Sequence, residues 1–300
     1  MTVNGHGIIV GVDGSPSSAV AVEWAARDAE LRNLPLTLVN VIAPIVTAAE
    51  GWPGTPVPAD YTELQEEQAA RAVEAARAAA VKVSPDREHL ITSEVRYGPV
   101  VPELVELSKG AQLIVAGSRG QGALAQTVLG SVSAGLAHHA QCPTAIIHGE
   151  DPLAAGSAQA PVLVGIDGSP TSELAAEIAF DEASRRGVGL VALHAWSDMG
   201  PIDFASVNWA PIEWRNIKVA EEEVLTERLC GFRERYPDVP VTKVVTCDQP
   251  VPRLLEQAER AQLVVLGSHG RGGFNGMLLG SVSTAVVCSA RVPVIIARAR

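Results

Sequence analysis

The sequence lacks several features, and each lack excludes a class of function. No apolar stretch approaches the ~18 residues that a membrane-spanning helix requires. Residues Met1 to Gly7 carry neither the basic region nor the apolar stretch of a secretory leader, so the expectation is a soluble cytoplasmic protein. The four cysteines, Cys142, Cys230, Cys247 and Cys288, lie far apart without a Cys-x-x-Cys pair. They read as reduced thiols rather than a metal site or a disulfide framework. Basic excess is also missing: the formal net charge is −11, which argues against nucleic acid, whose phosphates are bound mainly by clustered Lys and Arg. An anionic ligand must therefore be drawn in by local features.

What is present is a duplication. The stretch Gly7-Ile-Ile-Val-Gly-Val-Asp-Gly-Ser-Pro16 is answered 154 residues later by Pro161-Val-Leu-Val-Gly-Ile-Asp-Gly-Ser-Pro170. Ala111 to Ser133 is answered by Ala261 to Ser283 at a shift of 150, with 13 of 23 positions identical. Three hundred residues are comfortable for two domains of about 150 each, and a 47% hydrophobic fraction can fill two cores. The boundaries fall at 1–149 and 161–300. The aperiodic, small-residue stretch Glu150 to Ala160 forms the linker.

Each copy alternates short apolar runs with helical patterns, as in a parallel sheet covered by helices. In copy one the expected strands are Ile8–Val12, Leu36–Ile42, Leu90–Val95, Leu113–Ala116 and Thr144–Ile147. The expected helices are Pro16–Asn33, Thr62–Val83, Val100–Lys109 and Ser131–Ala140. Ser15-Pro16 and Ser169-Pro170 each supply a hydroxyl cap and a proline for the first helical position. Five strands and four helices per copy predict an α/β, doubly wound sheet, with ligands beyond the carboxyl ends of the strands.

The chemistry concentrates after the fourth strand. Gly117-Ser-Arg-Gly120, nine residues, then Gly130-Ser-Val-Ser133 recurs as Gly267-Ser-His-Gly270, nine residues, then Gly280-Ser-Val-Ser283. Glycine lets backbone N–H groups converge on a phosphate chain, and Ser131 or Ser133 opens a helix whose first N–H groups favour negative charge. Arg119, His269 and Arg271 add local positive charge. Read blandly, these glycines make a strand-to-helix turn and the serines cap a helix. The loop is nevertheless held in both copies, while Asn40–Tyr97 and Ala195–Cys247 have diverged. Asp13 and Asp167 end the first strands, where a carboxylate can meet a ribose hydroxyl, help position a metal, or simply close an Asx turn. Val41 and Ala195 end the second strands, where backbone groups can meet an adenine edge or the side chains can be ordinary core. The loops Ala43–Tyr61 and Ser197–Trp214 can cover a base, present a partner surface or be disordered. His138-His139 lacks a companion at ligand spacing, so no metal site is expected.

The glycine loops do not end in the Lys-Ser/Thr of a P-loop, since Ala123 and Gly273 follow Gly122 and Gly272. Gly11-Val-Asp-Gly14 is not the dinucleotide Gly-x-Gly-x-x-Gly. The paired acids and lysine of a phosphoacceptor receiver are missing, as is the second acid of a dehalogenase-type nucleophile, where Ser15 stands. No Ser/His/Asp or Cys/His arrangement stands out, so a catalyst is not expected.

Together, Gly-x2-Gly-x9-Gly-Ser and the Gly-x-Asp-Gly-Ser first strand resemble the universal stress protein family, over essentially the whole chain outside the linker. The double copy resembles the tandem type found in mycobacteria and related actinobacteria. The resemblance implies a flavodoxin-like sheet in the order 3-2-1-4-5 with ATP, with or without Mg²⁺, between the first strand, the end of the second and the glycine loop. The implied contacts in copy one are Gly11, Asp13, Val41, Gly117, Ser118, Arg119, Gly120, Gln121, Gly122, Ala123, Gly130, Ser131, Val132 and Ser133. In copy two they are Gly165, Asp167, Ala195, Gly267, Ser268, His269, Gly270, Arg271, Gly272, Gly273, Gly280, Ser281, Val282 and Ser283. Fifth strands in the family often pair across an interface, so the resemblance also implies a homodimer. The function expected is ATP-binding regulation of stress, dormancy or growth. A slow ATPase or nucleotidyl or phosphoryl transferase built on Asp13 or Asp167, and a scaffold that binds no nucleotide, are the alternatives.

Overall fold

A computed structural model describes residues 6–44, 61–120, 129–148, 159–196, 211–272 and 279–298. The chain divides into two compact units, residues 1–151 and 152–299. In the first, β1 (His6–Gly11), β2 (Leu36–Ile42), β3 (Ile91–Tyr97), β4 (Ala111–Gly117) and β5 (Thr144–Ile147) alternate with α1 (Pro16–Arg32), α2 (Tyr61–Val83), α3 (Val100–Ser108) and α4 (Ser131–His139). The strands stand in the order β3-β2-β1-β4-β5, and every pairing is parallel. Unbroken apolar runs place Ile8, Ile9, Val10, Leu38, Ile114 and Val115 wholly inside, as a sheet covered on both faces requires.

The second unit repeats the plan. It has β6 (Val162–Gly165), β7 (Leu190–Ala195), β8 (Val241–Thr246), β9 (Leu263–Gly267) and β10 (Val294–Ala297), with α5 (Pro170–Arg186), α6 (Pro211–Arg235), α7 (Pro250–Ala258) and α8 (Ser281–Ser289). Its order, β8-β7-β6-β9-β10, is again parallel throughout. Both units are thus flavodoxin-like, in the order 3-2-1-4-5.

Local chemistry sets the ends of these elements. The Ser15 hydroxyl accepts the Ser18 N–H at 3.1 Å, and Ser169 does the same for Ser172 at 3.2 Å. Asn33 lies outside α1 as its left-handed cap, at φ 53°, and Gly187 serves α5 in the same way at φ 64°. The third strand starts at Ile91 rather than Leu90 because Pro85–Leu90 forms a 3₁₀ segment. It runs on to Tyr97 because β2 offers partners as far as Ile42. The fourth strand is longer than its apolar run at both ends, since Ala111 pairs with His6 and Gly117 with Ile147.

One buried device recurs. Asp28 and Arg32 form an ion pair of 2.7 Å on α1, and Glu182 and Arg186 form one of 2.8 Å on α5, with both acids only 1% exposed.

Candidate functional site

The turn after β1 begins the site. Asp13 Oδ1 accepts the Ser15 N–H at 2.9 Å, so one oxygen closes an Asx turn. The other oxygen faces the glycine loop: a Cβ on Gly120 would stand 2.9 Å from Oδ2, so a side chain there would force the carboxylate to move. The Asx turn is thus formed through Oδ1, and Oδ2 stands at the loop. Gly117 is just as constrained, because a Cβ there would meet the Ser17 hydroxyl at 2.5 Å and the Ser17 carbonyl at 2.6 Å. The loop is pressed against the start of α1.

Helix α4 closes the other side. Its cap is Gly130, without a side-chain capping bond. The Ser133 hydroxyl does not cap the helix. It is buried and donates to the Gly117 carbonyl at 2.6 Å, tying the helix to the end of β4. The first carbonyl used within the helix is that of Gly130, which accepts the Ala134 N–H at 2.9 Å. The N–H groups of Ser131, Val132 and Ser133 precede that bond and are the helix's outward donors. Gly130 N–H donates to the Ser118 carbonyl at 2.8 Å, which brings the two glycine clusters side by side.

These elements enclose a cleft of about 340 Å³. Gly11, Asp13, Val41, Gly117, Arg119, Gly120, Gly130, Ser131, Val132 and Ser133 all line it. Ser118 is buried beneath the loop. Gln121, Gly122 and Ala123 lie outside the described residues, as do 45–60 of the second-strand loop. The volume is within the range of small-molecule sites. Sequence reasoning missed Val100 and Leu104, the apolar wall supplied by α3. It also missed Asn40, whose side-chain amide donates to the Val12 carbonyl at 2.7 Å.

Copy two builds the same cradle with different fastenings. Ser283 donates to the Gly267 carbonyl at 2.6 Å, and Gly280 N–H to the Ser268 carbonyl at 2.7 Å. The outward donors of α8 are those of Ser281, Val282 and Ser283, ahead of the Thr284 N–H bonded to Gly280 at 2.9 Å. Asp167 Oδ1 accepts the Ser169 N–H at 2.9 Å and Oδ2 accepts the Arg271 N–H at 3.1 Å. Burial pushes this carboxyl up, but bonds from the Ser169 side chain and N–H, the Ser172 side chain and the Arg271 N–H outweigh it and hold it below the usual carboxylate range. A Cβ on Gly270 would lie 2.6 Å from Asp167 Oδ2. The Thr171 hydroxyl donates to the His269 carbonyl at 2.5 Å, while the His269 ring pairs with the Ser268 hydroxyl at 2.8 Å. A Cβ on Gly165 would sit 2.7 Å from Leu266 Cδ2 and would displace that side chain. Ala195 ends β7, paired with Thr246. Gly272 follows Arg271 on the loop, and Gly273 and residues 197–210 lie outside the described residues.

The counterpart of Asn40 in copy two is His194, which sequence reasoning also missed. It is 1% exposed, its Nδ1–H donates to the Ile166 carbonyl at 2.6 Å, and its Nε2 lies 3.1 Å from Glu221 on α6. The available signal was its position: both residues stand 28 after the residue whose carbonyl they hold. His138 and His139 occupy the last turn of α4, and among the described residues no group of three or more His, Cys, Asp or Glu could hold a metal ion. Also among the described residues, no helix is long and apolar enough to cross a membrane.

The family model described as "Universal stress protein family" matches residues 6–148 and again residues 160–298. The chain belongs to the universal stress protein family. Universal stress protein Rv1996 of Mycobacterium tuberculosis is 57% identical over 306 residues, spanning 97% of this chain and 95% of that protein. Universal stress protein Rv2623 of the same organism is 50% identical over 296 residues, covering 97% and 96%. Among solved structures, a universal stress protein from Archaeoglobus fulgidus shares the fold, with a TM-score of 0.68 at 21% identity over 99% of both chains. In the terms of the family, this chain is a tandem universal stress protein with a glycine cradle in each copy.

Proposed function

We propose that each domain holds ATP, phosphates on the glycine loop and nucleoside toward the ends of its first two strands, and that this universal stress protein acts as an ATP-dependent regulator rather than a catalyst. The observation that carries the reading is the cradle itself. At Gly120 and Gly270 a Cβ would collide with the opposing aspartate, and three helix N–H groups per copy point outward beside them. Charge-assisted bonds of about 1.5–3 kcal/mol each would hold a triphosphate despite the net negative charge.

In copy one Arg119 lines the cleft, and Asp13 stands where a ribose hydroxyl would be met. The phosphates can bring Mg²⁺ with them, and each cradle offers it one carboxylate, Asp13 or Asp167. The case against catalysis rests on Asp167. A carboxylate held ionised and engaged with backbone donors is a weak general base. The reading carries with it a cytoplasmic compartment and ATP-dependent protein partners as the regulatory output, and the family resemblance adds a homodimer.

The test is to denature the purified protein, identify released nucleotide by chromatography and titrate the emptied protein with ATP by calorimetry. Recovery of adenine nucleotide with two sites per chain supports the reading. No nucleotide and no binding heat would sink it.

A further inference from the structure

The two copies differ most where the nucleoside end of a ligand would lie. In copy one Asp13, Asn40 and Val41 also line a second, open-sided chamber of about 550 Å³, whose other wall is α2. Gln65 and Gln68 bring amides to that wall and Ala69, Ala72 and Ala75 bring methyl groups. Arg71 also reaches it, its exposed guanidinium paired with Glu67 at 2.7 Å, and Asp13 is the carboxylate at its opening.

In copy two, charged side chains of α6 stand in this place. Ala76 and Ala80 on α2, and Leu225 and Leu229 on α6, are the buried positions of matching turns. Counting back one turn puts Glu221 where Ala72 stands. Its carboxylate reaches His194, the counterpart of Asn40. The guanidinium of Arg228 packs so tightly on Gly168, the counterpart of Gly14, that a Cβ on that glycine would collide with it.

We propose that the first domain accepts a nucleotide carrying a flat, uncharged ring system on its ribose, seated in the chamber beside α2, and that Glu221, His194 and Arg228 close the second domain to such a ligand. This rests on the nucleotide reading above. Asp13 lines both spaces, so a ribose hydroxyl bonded there sits at the opening between them, and a substituent on it points away from the glycine loop. Amide edges and methyl groups together suit a planar ring with polar rims. Nucleotides extended through their phosphates do not fit, because the glycine loop lies on the opposite side of the cleft.

The experiment uses the full chain with one cradle disabled at a time. With Gly270→Val, the first site is titrated by calorimetry with ATP and with 2′(3′)-O-(N-methylanthraniloyl)-ATP, whose ribose carries such a ring. The modified nucleotide should bind at least as tightly as ATP. Ala72→Phe, which fills the chamber from a half-buried position, should weaken it about tenfold while leaving ATP unchanged. Gln68→Trp, on the exposed side of α2, should do the same if Ala72→Phe does not fold. With Gly120→Val, the second site should bind the modified nucleotide about tenfold more weakly than ATP, and Glu221→Ala with Arg228→Ala should restore it. Normal ATP binding with no effect of either chamber-filling variant overturns the chamber and leaves the nucleotide reading intact. No ATP binding at either site overturns both.

Discussion

Asp167, at the turn after β6, holds the backbone N–H of Arg271 in the glycine loop at 3.1 Å. The carboxylate therefore straps the first strand's turn to the cradle, and its ionisation is linked to folding. Its pKa is depressed in the folded chain, so its stabilisation is complete above the unfolded value of about 3.9 and fades as the pH falls through the lower folded value. Asp167→Asn should cost about 1 kcal/mol at neutral pH, discounted for solvent screening. The difference from the parent chain should shrink toward pH 3 in thermal melts. A constant difference across that range would remove the strap from the account.

Gly120→Val and Gly270→Val should each abolish binding at their own site and leave the other intact. A Cβ meets aspartate oxygen at 2.9 Å in the first and 2.6 Å in the second. Calorimetric stoichiometry should drop from two ATP per chain to one. Two sites surviving in either variant would mean that ligand does not use the loop.

The same two variants allow the sites to be titrated singly. Arg119 lines the first cradle and His269 holds the matching position in the second, while Val41, next to the end of β2, matches Ala195 at the end of β7. Unequal affinities are expected, because the first loop carries its guanidinium at Arg119 and the second carries its own two positions further along, at Arg271. Matching dissociation constants would refute this.

ATP turnover should stay at background, and Asp13→Ala combined with Asp167→Ala should not change it. Hydrolysis above background that this double variant removes would establish an enzyme instead.

Arg32→Ala removes the 2.7 Å ion-pair bond to the buried Asp28 carboxylate and should cost about 2 kcal/mol in denaturant unfolding. Arg71→Ala breaks an ion pair of the same length whose side chains are 72% and 64% exposed, and should cost under about 1 kcal/mol. Equal effects would show that burial does not set the value of these pairs.

Most of the architecture was legible because its signals are local and repeated. Ser-Pro helix starts, unbroken Val/Ile/Leu strands and the glycine spacing each appear twice. Thr144–Ile147 and Val294–Ala297 fall where their apolar runs do. The site was legible in its backbone and less so in its side chains. Asn40 and His194 each interrupt an apolar strand by one polar residue, which reads as tolerated core until the carbonyl it holds is known. Glu221 reaches His194 across 27 residues of sequence, a distance at which no local pattern speaks. The Ser133 and Ser283 hydroxyls suggest caps from their positions, yet they turn inward to Gly117 and Gly267 because those carbonyls end a strand beside them.

That inward turn bears on kinetics. Under the nucleotide reading, the strand end at Gly117 and the helix start at Ser133 are already fastened together before an anion arrives, so these two parts need no slow rearrangement for capture. Arrival rates should then be similar for related nucleotides, and discrimination among them should lie in residence time. On the proposed function, ligands would be told apart by how long each one stays.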